Sequence, residues 1–174
     1  MQFTVAFLAF LGLTLAQKEV YLNGLNMVHH ALDSLDSGVA GLAAGADAAA
    51  ATNALSAKST NVLTAINNAI AAVNGASALD LAGAAELVSP SDHLVAETQK
   101  TVDDLIAKKE IIKAAGQTGL VLAQLKSQGV GAAKLVDAIA AKVPADAKSI
   151  ATSAGDKIAA AISKGVTAFS WTLA

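Results

Sequence analysis

Metal ligation in this chain would have to come from His29, His30, His93 and fourteen acidic side chains, because there is no cysteine. His29 and Asp33 stand four residues apart, which is one helical turn and the spacing of half a metal site. No second pair accompanies them, and a zinc or iron centre needs three or four ligands. Nucleophilic hydrolysis would place a serine on a strand–turn–helix elbow, yet no G-x-S-x-G occurs. The chain is therefore expected to be a non-enzyme that needs no cofactor.

A more informative chemistry lies in polar residues that interrupt apolar stripes. Wound at about 100° per residue, Lys109 falls among Val102, Leu105 and Ile112, and Thr98 shares that stripe upstream. Gln128 lies between Leu125 and Ala132, and Ser59 between Leu55 and Ile66. Two readings stay open. In one, Lys109 lays its methylenes on the apolar face and reaches water with its ammonium, while Ser59 and Thr98 bond their own backbone. In the other, Lys109, Gln128, Ser59 and Thr98 form the polar end of a lipid pocket, since buried polar groups need partners and a carboxylate would supply one. Its apolar wall would be Leu105, Ile112 and Leu125, continued by Val136, Ile139, Ile158 and Ile162. Lys108, on the other side of the same helix, is expected at the surface and paired with Asp104.

These residues must be positioned by helices. Tyr21, Leu25, Val28, Leu32, Leu35, Val39 and Leu42 recur at alternating spacings of four and three, a heptad stripe. Similar stripes run through residues 48–73, 89–116, 118–142 and 144–169, separated by Asn74-Gly75, Gly116 and Val143-Pro144. Ser89-Pro90-Ser91-Asp92 reads as a helix start, with Ser89 as cap and Pro90 in the first turn. No stretch alternates with period two. The expected fold is all-α, an elongated antiparallel bundle of about five amphipathic helices.

Composition narrows the function. The chain is 54% hydrophobic but only 3% aromatic, because alanine dominates. Alanine favours helix and buries little area, so the core rests on scattered Leu, Ile and Val. Twelve lysines face fourteen acids and there is no arginine, which leaves no basic footprint for nucleic acid. Residues 1–16 are apolar and uncharged, too short to span a bilayer at about 20 residues. Thr14 and Ala16 suit a cleavage site, so residues 1–16 read as a signal peptide and 17–174 as one secreted domain. A transmembrane segment is not expected.

The stretch LVSPSDHLVAETQKTVDDLIAKKEIIKAAG, followed by LAQLKSQ, DAIAAKVPADAKSIA and AISKGVTAFS, resembles the fungal hydrophobic surface-binding protein family, also described as cell-wall galactomannoproteins. ALDSLDSGVAGL, earlier in the chain, fits the same pattern, and the similarity covers roughly Gln17 to Ser170. The resemblance implies a secreted helical bundle that binds fatty acids or adsorbs to hydrophobic surfaces. It also implies two alternatives: an adaptor that recruits secreted hydrolases to solid polyesters, or a structural component of the cell wall. No catalytic signature comes with it.

Overall fold

Heptad-spaced apolar residues make a helix only where a partner covers them, and here five long helices cover one another. The computed structural model describes residues 3–43, 45 and 48–170, with side chains from Gln17 onward apart from residues 48 and 49. The elements are α1 (Phe3–Ala40), α2 (Ala48–Gly75), α3 (Leu81–Glu86), α4 (Val88–Ala107), α5 (Lys109–Ala114), α6 (Thr118–Ala140) and α7 (Lys148–Ser170). A single 3₁₀ turn, Ala145–Ala147, precedes α7. No strand occurs among the described residues. The all-α expectation holds.

The heptad stripe of α1 is buried along its whole length, with Tyr21 and Val39 fully covered. α1 also runs upstream of the Tyr21 stripe, through the Ala16–Gln17 junction. The side chains of residues 1–16, read as a signal peptide, lie outside the described ones.

The long helices pack in a closed ring, in the order α1, α2, α6, α7, α4 and back to α1. Their directions follow from facing residues. Gly24 lies against Ala69 and Gly38 against Leu55, so α1 and α2 are antiparallel. Gly155 meets Val136 and Gly129 meets Ile162, so α6 and α7 are antiparallel too. Gln124 and Gln128 reach Ser56 and Ser59, which makes α2 and α6 parallel. Lys100 pairs with Asp36 and Lys164 with Asp103, which sets α4 parallel to both α1 and α7. Successive long helices alternate in direction as expected. Closing five of them into a ring makes three of the seams parallel.

Two boundaries differ from expectation. Ser89 is no cap: α4 begins at Val88, and its flanking residue Leu87 is already helical at φ −78°, ψ −13° with no side-chain cap. The short α3 delivers the chain in helical conformation, so the start signal moves upstream to Asp80, whose carboxylate accepts from the Gly83 amide at 2.7 Å. The helix expected to run unbroken to Gly116 is interrupted at Lys108, where φ is −91° and ψ 6°. Gly116 does close it, in the left-handed conformation at φ +70°. The Gln117 amide then reaches back to the Ile112 carbonyl at 3.1 Å.

The end of the bundle where α2 and α6 finish is stitched. Lys142 donates to the carbonyls of Asn74 and Ala76, and the Leu79 amide donates to the Lys142 carbonyl. Tyr21 donates its hydroxyl to the Ser77 carbonyl at 2.7 Å, and burial raises its pKa.

Candidate ligand cavity

A ring of five helices cannot fill its own axis with alanine. The space left is a narrow apolar pocket, open to solvent on one side, to which all five long helices contribute. Leu25, Val28 and Leu32 of α1 and Val62 and Ile66 of α2 form one wall. Opposite them α6 and α7 present Ala132, Val136, Ala151, Ala154 and Gly155, where larger side chains would have closed the space. No ionisable side chain lines it among the described residues.

Three polar side chains face the cavity: Ser91, Thr98 and Gln128. Thr98 donates its hydroxyl to the Leu94 carbonyl at 2.7 Å, one turn back along α4. Gln128 donates from Nε2 to Ser59 Oγ at 2.8 Å, with the Ser59 carbonyl at 3.4 Å. The Thr98 hydroxyl and the Gln128 amide nitrogen therefore have internal partners, which lowers the cost of burying them. Gln128 also borders a second, smaller hollow, which Ser59, Leu35, Leu55, Leu105 and Leu125 line as well.

The residues singled out in the sequence divide among three places. Thr98, Gln128, Val136, Ile139, Ile158 and Ile162 line the main cavity. Ser59, Leu105 and Leu125 border the smaller hollow. Ile112 is fully buried but faces neither, and Lys109 borders neither. Lys109 is half-buried beside the interruption at Lys108, and Ile112 on the same stripe stays fully buried beyond it. Lys108 is half-buried too and donates to the Leu42 carbonyl at 2.8 Å beyond the end of α1. Its expected partner Asp104 pairs with Lys100 instead.

Sequence reasoning missed Ser91 and the small residues of α7. The signal was present: Ala147, Ala151, Ala154 and Ile158 recur at helical spacing on the face that meets the cavity. It also missed Asp36, beside Leu35 in the α1 stripe, which is buried and pairs with Lys100. The hydrogen bond to Asp36, helped by one to Asp104, raises the Lys100 pKa. His29 and His30 lie with ring centres 5.8 Å apart, and the described residues contain no cluster of three or more His, Asp or Glu that could hold a metal ion. Among those residues, no helix is long and apolar enough to cross a membrane.

Comparison with known proteins gives this architecture a context. Residues 19–141 match the family described as Hydrophobic surface binding protein A. The cell wall mannoprotein 1 of Aspergillus fumigatus is 37% identical over 117 residues, which is 67% of this chain and 41% of that protein. The chain thus spans about two-fifths of that relative's length. Among solved structures, ligand binding domain 1 of the Penicillium marneffei MP1 protein, complexed with arachidonic acids, superposes with a TM-score of 0.80 at 27% identity. The match covers 86% of this chain and 96% of that domain. Afmp4p in complex with palmitic acid reaches a TM-score of 0.82 over 87% of this chain and 99% of its own, with 22% identity, a likeness of fold alone.

Proposed function

On the premise that the chain belongs to the hydrophobic surface binding protein A family, we propose that it is a secreted, non-enzymatic protein that binds long-chain fatty acids inside its helical ring. One observation carries this reading: the apolar pocket between the five long helices, free of ionisable groups among the described residues. An acyl chain entering it would replace missing contacts on every wall, whereas a polar metabolite would lose its hydration without compensation. The 27% identical MP1 domain, solved with arachidonic acids, supports the same ligand class. The mannoprotein relatives and the apolar residues 1–16 support an extracellular or cell-wall location.

The test is uptake of palmitate by delipidated protein. Native mass spectrometry should show added mass of one or more fatty acids. Thermal unfolding should shift upward, since ligand at about 100 times its Kd stabilises by about 2.7 kcal/mol. Protein that co-purifies with no lipid and ignores added palmitate would end the proposal.

A second reading, adsorption to hydrophobic solids, is favoured by exposed Leu81 (57%) and Val130 (58%). Recruitment of secreted hydrolases would be its further step. Binding to a polyester film no stronger than that of an acidic globular control would reject it.

A further inference from the structure

The cavity opens sideways, between the first turns of α4 and the first turns of α7. There it runs into a groove bordered by Val88, Asp92, Ser149, Ser153 and Lys157. Ser91, Ile150 and Ala154 belong to both spaces, so the two are continuous. The inner space is walled largely by hydrocarbon, and the outer one carries three hydroxyls, the Lys157 ammonium and the Asp92 carboxylate.

Donors differ between the two zones as sharply as polarity does. A carboxylate can only accept hydrogen bonds. Inside, the Thr98 hydroxyl is engaged with the Leu94 carbonyl and the Gln128 amide with Ser59. At the mouth, the Ser91 hydroxyl and the Lys157 ammonium have no hydrogen-bond partner among the described residues. Lys157 also forms no ion pair there, even with Asp92 on the same groove.

We propose that a fatty acid binds with its carboxylate at the α4–α7 mouth, held by Lys157 and Ser91, and its tail directed inward toward Gln128. This rests on the fatty-acid reading above. The charged head stays in contact with water, which avoids the cost of burying an ion. The tail fills the apolar space. Lys157 is then the residue that prefers an acid over a neutral lipid of the same length, and Asp92 opposes it.

The full-length chain can be tested with palmitate carrying ¹³C at its carboxyl carbon. Head-out binding predicts that the bound carboxyl signal titrates with bulk pH at or below the roughly pH 4–5 of an exposed carboxylic acid, and lower in wild type than in Lys157→Glu. Lys157→Glu, at an exposed position, should weaken palmitate binding by about fivefold, as expected for loss and reversal of a solvent-exposed ion pair. Binding of hexadecanol should stay unchanged in the same variant. Asp92→Asn should tighten palmitate modestly. A bound carboxyl signal that does not respond to pH, with Lys157→Glu equal to wild type, would overturn the orientation while leaving the fatty-acid reading intact. Failure of the wild-type chain to bind either lipid would overturn both.

Discussion

The two halves of α7 behave as different materials. From Ala161 to Phe169 the helix sinks four residues into the bundle: Ala161, Ile162, Gly165 and Phe169. A Cβ on Gly165 would stand 3.1 Å from both Leu125 and Val102, so α7 there is wedged between α6 and α4. From Lys148 to Ala160 no residue is buried, and Ile150 is 37% exposed. That half still leans on α6, where a Cβ on Gly155 would come within 2.8 Å of Val136. Toward α4 it stands open over the groove and the cavity. One end of the helix is structural and the other borders a binding space.

The largest expected effect tests that contrast directly. Phe169 is fully buried, and Phe169→Ala should cost about 3–5 kcal/mol by urea unfolding. Ile150→Ala should cost less than about 1 kcal/mol, as at other exposed sites. Equal losses would erase the distinction between the halves.

A smaller effect of opposite sign comes from closing the cavity. Ala132→Leu adds about three carbons to a wall that faces empty space. It should stabilise the ligand-free protein by about 1–2 kcal/mol at roughly 0.8 kcal/mol per buried methylene. It should also reduce palmitate uptake. A loss of stability would mean that the space is already filled by neighbouring side chains.

The smallest effect concerns the α1–α4 seam, which an ion pair bridges where the α4–α7 mouth has none. The Lys100 pKa is raised above 10.5, first by the hydrogen bond to Asp36 and then by that to Asp104. A group whose folded pKa is raised stabilises the fold fully below its unfolded pKa and loses that contribution as pH climbs through the folded value. Stability should therefore fall above about pH 10.5 in wild type and fall less steeply in Lys100→Met. Tyr21, raised by burial, titrates in the same direction and stays present in both proteins. Parallel pH curves for the two chains would show that Lys100 contributes nothing through this pair.

How far these features could be read in the residues depends on their range. The α1 stripe was fully legible, because seven residues at heptad spacing leave one face to bury. Helix number, the break at Val143-Pro144 and the stop at Gly116 followed from local rules. Gln128 and Ser59 stood out as polar residues on apolar faces, but nothing local said that they would meet across the α2–α6 seam. The bond from Lys108 to the Leu42 carbonyl was not legible, because it joins two helix ends far apart in the chain. The cavity was the least legible feature: it is a property of the ring order, which no single helix encodes.

The odd number of long helices has a consequence for how such a unit joins a longer chain. Five alternating segments bring α7 out at the end of the bundle opposite to the one where Gln17 of α1 lies. A four-helix hairpin would return the chain to its starting side and need a linker as long as the bundle to continue. Here a following unit could be attached by a few residues, end to end, with each lateral mouth left clear. The fold is a bead already threaded along its long axis.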